Sequence, residues 1–148
     1  MSYLLDTMTW FWLCEKPHLI PPDIDKELVI SGVPFLSVAS VWEIARKAKL
    51  SERKPRHPSA MRLRVPIRTW MEKALDEEAL TLLPLTSEIA IESNYLPGDF
   101  HDDPMDQIIV ATARLYNLTV VSSDIQIRKY NQVRCLYFKG PAPQSEHD

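Results

Sequence analysis

Asp103-Pro104-Met105-Asp106-Gln107-Ile108-Ile109-Val110-Ala111-Thr112-Ala113, with Leu118-Thr119-Val120-Val121 close behind, decides the fold. Asp103 is a helix cap, Pro104 suits the first helical position, and the pattern predicts a helix over Pro104 to Tyr116. Its apolar residues fall on most sides, which predicts a central helix. Leu118 to Val121 is then a strand. Working outward, strands are predicted at Ser2 to Leu5, Pro34 to Ser37, Leu80 to Leu83 and Arg134 to Phe138. Between them helices are predicted from Met8 behind a Thr7 cap, from Pro22 to Gly32, and over Ala39 to Lys49 with Val38, Val41, Trp42 and Ala45 inward. Three more run from Pro66 to Leu75, from Thr86 to Asn94 and from Ile125 to Tyr130. Strands alternating with helices predict an α/β fold in three layers, a central parallel sheet with helices on both faces. Ligands gather at the carboxyl ends of the strands in such folds.

The 148 residues predict one domain over 1–139 and a mobile tail over 140–148. The net charge of −3 hides an uneven distribution. Residues 46–68 hold nine Lys or Arg against the single acid Glu52, and the rest of the chain carries eight basic and nineteen acidic residues. A basic segment on an acidic body predicts a local polyanion contact. Cys14 and Cys135 are too few for a disulfide framework and read as reduced core thiols. No apolar run approaches membrane-spanning length, and Met-Ser-Tyr-Leu-Leu-Asp lacks a basic leader, so a cytoplasmic protein with no membrane partner is expected. Three glycines and no Gly-rich loop exclude a dinucleotide fold.

Four carboxylates sit where apolar segments end or turn polar. Asp6 closes Tyr3-Leu4-Leu5, Glu43 follows Ser40-Val41-Trp42, Asp106 opens Gln107 to Ala111, and Asp124 follows Val120-Val121-Ser122-Ser123. Each has an ordinary explanation. Asp106 suits a helix's first turn, Glu43 can pair with Lys47, Asp124 can cap a helix and Asp6 can belong to a turn. Together they predict more, because grouped acids repel one another and a divalent cation relieves the repulsion. Oxygen ligands of this kind suit Mg2+ or Mn2+. His101, beside Asp102 and Asp103, could contribute to a metal site, but a solvent-facing loop residue is the favoured reading. Trp10-Phe11-Trp12 reads as core, or with the face near Trp42 as a groove for a partner helix.

Leu4-Leu5-Asp6-Thr7, Ser40-Val41-Trp42-Glu43-Ile44-Ala45, the block from His101 to Ala113, and Val120-Val121-Ser122-Ser123-Asp124 occur in this order. In this they resemble the PIN-domain nucleases, and within them the VapC-type toxins of bacterial toxin–antitoxin pairs. The resemblance runs from about Tyr3 to Tyr130. It implies a metal-dependent endoribonuclease with catalytic acids Asp6, Glu43, Asp106 and Asp124. Asp6, Asp106 and Asp124 would hold Mg2+ or Mn2+, with Thr7 and Ser122 in support. It also implies cleavage leaving a 5′-phosphate, a cognate antitoxin and a homodimer. Met8 stands where relatives often carry a polar residue or His, Ser122 where Thr is common, and the basic stretch from Arg53 to Arg68 is unusually charged. Arg53, Lys54, Arg56, Arg62, Arg64 and Arg68 are the expected contacts to the RNA backbone.

Two other readings compete. A phosphatase with a strand-end Asp nucleophile wants a second Asp two residues on, where this chain has Met8. The other alternative is a non-catalytic nucleic-acid-binding or regulatory PIN-like module, in which the acids serve structure alone.

Overall fold

The computed structural model describes residues 1–142. Its five strands are β1 (Tyr3–Leu5), β2 (Phe35–Ser37), β3 (Thr81–Leu83), β4 (Thr119–Ser122) and β5 (Cys135–Tyr137). They form one sheet in the order β3-β2-β1-β4-β5, and every pairing is parallel. Around it lie α1 (Thr7–Glu15), α2 (Pro22–Ser31), α3 (Val38–Arg53), α4 (Ile67–Ala74), α5 (Ser87–Asn94), α6 (Pro104–Tyr116) and α7 (Ile125–Lys129), with a 3-10 turn at Pro17–Leu19.

The period of two along each strand sorts side chains onto two cores. Leu4, Phe35, Leu83, Val120 and Cys135 meet Ile109, Val110 and Ala113 of α6 and Ile127 of α7. Their neighbours Tyr3, Leu5, Leu36, Val121 and Leu136 meet Trp10 of α1, Ile24 and Leu28 of α2, Ile44 of α3 and Trp70 of α4. The sheet is thus covered on both faces, as a parallel sheet with apolar strands requires. Chain order reverses at the β1–β4 pair: β2 and β3 lie to one side of β1, and β4 and β5 to the other. The crevice outside the carboxyl ends of β1 and β4 is therefore the topological switch point.

The predicted α6 limits agree with the structure, and Asp103 caps the helix through Met105 N and Asp106 N. Asn117, in the left-handed region at φ 55°, ends it. Other expectations are corrected. The cap of α1 is Asp6, whose Oδ1 accepts from Thr9 N at 2.9 Å, and not Thr7. Helix α3 runs on to Arg53, and Pro66 precedes α4 as its cap. The inward stripe of α3 is Ser40, Ile44 and Ala48, and Trp42 is 53% exposed. Two residues turn a helix by about 200°, which puts Trp42 opposite the Ser40–Ile44–Ala48 stripe. Its ring instead lies under the Arg46 guanidinium, 5.3 Å from the centroid.

Trp10, Phe11 and Trp12 are all buried and offer no groove. Trp10 Nε1 donates to Ala74 O at 3.1 Å, its ring meets Trp70 edge-on at 5.2 Å, and Trp12 meets Phe138 at 6.1 Å. Cys14 is exposed rather than core, Cys135 is half-buried, and both thiols are free. No helix among the described residues is long and apolar enough to cross a membrane. Most of the expected tail, residues 143–148, lies outside the described residues. Gly140 is described and lies against Ser123 and Trp12, where an added Cβ would meet Ser123 Cβ at 3.0 Å.

Candidate active site

Asp6 leaves the end of β1 and Asp124 follows the end of β4, so the switch point sets the two acids side by side. Asp6 N donates to Val121 O at 3.1 Å, which carries the ladder one residue beyond β1. The Asp6 carboxylate is 7% exposed. Its Oδ1 accepts from Thr9 N and its Oδ2 from the Ser122 hydroxyl. Burial raises the Asp6 carboxyl above its usual range, and the hydrogen bonds from Ser122 and Thr9 oppose the rise. Ser122 Oγ in turn accepts from Asp124 N at 2.9 Å, while Asp124 Oδ1 caps α7 by accepting from Gln126 N at 2.8 Å.

Glu43 comes from the second turn of α3. Its Oε1 accepts from Thr7 Oγ1 at 3.0 Å, and Oε2 lies 3.1 Å from Lys47 Nζ. Thr7 Oγ1 also shares a 2.9 Å hydrogen bond with Ser40 Oγ, so a buried pair of hydroxyls links α1 to α3 beneath the acid. The ordinary roles foreseen for Asp124 and Glu43 are therefore real: one caps a helix, the other pairs with Lys47.

Asp106 is different. It projects from the first turn of α6, half-buried, with His101 beside its carboxylate. Burial first, then the carboxylates of Asp103, Asp124, Glu43 and Asp6, push its carboxyl up to about 8. A carboxyl that four neighbouring acids help to hold near neutrality lacks a positive charge. His101 Nε2 lies 3.1 Å from Asp106 Oδ2 but off the line a hydrogen bond needs, and this buried nitrogen has no hydrogen-bond partner. The donor atoms of His101, Asp106 and Asp124 fall within 4.8 Å of one another. Carboxylate oxygens with spare lone pairs and an orphaned ring nitrogen are a set that a divalent cation fits.

Of the residues foreseen, Asp6, Thr7, Glu43, Asp106, Ser122 and Asp124 thus come together at the switch point. Ser40 and Thr9 join them unforeseen, and His101, favoured from sequence as a loop residue, joins them too. His101 sits just ahead of the Asp103 cap, where the chain turns back over the first turn of α6; Gln107 Nε2 donates to His101 O at 3.0 Å and closes that turn. The expected RNA contacts Arg53, Lys54, Arg56, Arg62, Arg64 and Arg68 are all exposed. Arg53, Arg62, Arg64 and Arg68 line four different hollows.

A family model described as the PIN domain matches residues 3–133. The chain belongs to the PIN-domain family. No curated protein matches this PIN domain by sequence. Solved structures do share its fold. VapBC2 from Rickettsia felis, bound to a promoter DNA fragment, superposes with a TM-score of 0.65 at 15% identity, covering 93% of this chain and 98% of that one. DNA-bound VapBC from Salmonella typhimurium gives 0.66 at 17% identity, covering 91% and 96%. A toxin–antitoxin complex from Klebsiella pneumoniae gives 0.57 at 19% identity, covering 89% and 95%. At such identities the likeness is one of fold, and it extends over 89–93% of this chain.

Proposed function

We propose that this PIN domain is a metal-dependent endoribonuclease and the toxin of a toxin–antitoxin pair. The observation that carries the proposal is Asp106, a half-buried carboxyl pushed up to about 8 at the mouth of the β1–β4 crevice, beside Asp124. Asp106 and Asp124 would hold Mg2+ or Mn2+, with Asp6 completing the set through the lone pairs that Thr9 and Ser122 leave free. A divalent ion in this place supplies charge to a phosphodiester's oxygens and makes water more acidic. The chain's own residues do the rest. Ser122 and Thr9 fix the Asp6 carboxylate, Thr7 and Lys47 fix Glu43, and Glu43 orients the attacking water. The exposed cations of residues 46–68 hold the RNA backbone, giving affinity with little sequence choice. The product carries a 5′-phosphate.

The antitoxin reading is supported by the complexes named above, each of which pairs such a fold with a partner chain. A homodimer is expected on the same ground of family. The decisive experiment incubates purified protein with RNA and Mg2+ or Mn2+, then repeats it with single acid-to-amide variants. Cleavage that needs the ion and is lost in Asp106→Asn and Asp124→Asn supports the proposal; cleavage unaffected by either change sinks it. Expression in a bacterial host arrests growth, and co-expression with the upstream neighbour restores it and co-purifies both chains. A harmless, active nuclease would remove the toxin reading and leave the enzyme. The capping roles of Asp6 and Asp124 favour a second reading, a non-catalytic module, and the same cleavage assay separates the two.

A further inference from the structure

We propose that His101 binds the divalent ion through Nε2, and that this nitrogen tilts the site toward Mn2+ over Mg2+. The inference rests on the metal reading above and goes beyond it by adding a ligand that is not a carboxylate. Three observations converge on it. Nε2 is buried and has no hydrogen-bond partner, a state that costs free energy unless something binds it. It lies 3.1 Å from Asp106 Oδ2, and one donor atom each from His101, Asp106 and Asp124 falls inside 4.8 Å, a span that a small inward movement brings within reach of one ion with bonds of about 2.1 Å. The ring is also held in place rather than carried on a loose loop. Gln107 Nε2 fastens the His101 carbonyl, the ring lies 4.5 Å from Phe100, and Phe100 lies 4.9 Å from Tyr130, whose hydroxyl donates to Pro97 O. Support of this kind aims a ligand before the ion arrives.

The ordinary alternative is an ion pair between a protonated His101 and Asp106. The 3.1 Å separation allows it, but the N–H direction misses the carboxylate oxygen. An aligned pair would have satisfied both groups. A buried ring nitrogen beside a carboxylate, with no hydrogen bond of its own, is instead available as a ligand. One imidazole among carboxylates leaves a site that still accepts Mg2+, a hard ion that keeps its waters. Mn2+, a d-block ion at the start of the Irving–Williams order, takes imidazole nitrogen more readily than Mg2+ does, so it gains more from His101.

The test is pulsed electron paramagnetic resonance of Mn2+ bound to the full-length protein, with calorimetric titration of Mn2+ and Mg2+ alongside. The expected spectrum shows modulation from a directly bound imidazole nitrogen. That modulation changes when the protein is grown on isotope-labelled histidine, a control that leaves the fold untouched. In His101→Gln the modulation disappears, Mn2+ affinity falls by about tenfold, and Mg2+ affinity changes much less. Bound Mn2+ without nitrogen modulation overturns the inference and leaves the metal site standing. So does modulation that persists in His101→Gln, or an equal loss of affinity for both ions. Failure of the wild-type protein to bind either ion removes both this inference and the metal reading.

Discussion

Ser122 donates its hydroxyl proton to Asp6 Oδ2, tying the end of β4 to the end of β1 across 116 residues of sequence. Ser122 Oγ also accepts from Asp124 N, so one hydroxyl sets the positions of two acids. Ser122→Ala leaves a buried carboxylate oxygen without its donor, and the expected loss of stability is about 1–3 kcal/mol. Ion affinity and RNA cleavage should fall roughly 10- to 100-fold. Ser122→Thr keeps the hydroxyl and should retain both. Urea unfolding and calorimetric ion titration of the two variants check this, and a fully active Ser122→Ala protein would remove the role assigned here.

Asp106 gives the metal-free protein a characteristic pH dependence. Its carboxyl rises from an ordinary 3.8 to about 8 in the folded state, so folding favours the protonated form. The stability this contributes is complete below about pH 4 and is lost as pH climbs through about 8. Asp106→Asn cannot ionise and lacks that slope. The stability difference between wild type and Asp106→Asn should therefore grow between pH 5 and pH 8 in favour of the variant, measured by urea unfolding in chelator. The variant is also expected to be inactive. Equal pH slopes for the two proteins would contradict the environment described for this acid.

Mg2+ or Mn2+ should raise the melting temperature, because only the folded chain gathers the acids. At roughly a hundred times the dissociation constant the gain is about 2.7 kcal/mol. The shift should vanish in an Asp6→Asn/Asp124→Asn double variant, followed by differential scanning calorimetry. Equal stabilisation of both proteins would place the ions somewhere else.

The cations should divide into two groups. Arg46, Lys49 and Arg53 share one hollow of about 590 Å³ with the exposed Trp42 ring, while Arg62, Arg64 and Arg68 each line a different one. Lys49 is only loosely engaged, by Glu52 at 3.3 Å on the open surface. In an Asp106→Asn background, neutralising Arg46, Lys49 and Arg53 together should reduce the salt slope of single-stranded RNA binding by about 2. Neutralising Arg62, Arg64 and Arg68 should reduce it less. Filter binding across a salt series decides, and equal slopes for the two triples would show that the clustering in space has no bearing on RNA.

Local chemistry made much of this molecule readable. The Asp103-Pro104 start and the apolar run after it define α6 without help from distant residues, and the strands announce themselves as short apolar runs ahead of turn residues. What could not be read depends on the rest of the chain. Trp42 looks inward by hydrophobicity, yet helical periodicity sets it opposite Ile44, and only the sheet's position shows which side faces the core. Histidine 101 gave only loop signals, because its burial is made by Phe100, Gln107 and Asp106 folding around it. Arg53 ends α3, Arg62 and Arg64 lie in the loop and Arg68 sits on α4, so the hollow each one lines depends on how those elements pack. The acids were legible for the opposite reason: in a parallel sheet strand ends converge, so a carboxylate that closes a strand has its destination written beside it.

Because β1 lies between β2 and β4, one whole edge of the first strand stays without hydrogen-bonding partners until Thr119–Ser122 has been made. Synthesis runs from the amino terminus, and domains fold as units. A ribosome partway through this message therefore carries a nascent chain with Asp6 exposed and nothing yet to stand beside it. The crevice cannot close until nearly the whole domain has emerged. The grouped acids thus come into being late, as one of the last acts in the making of the domain rather than an early one.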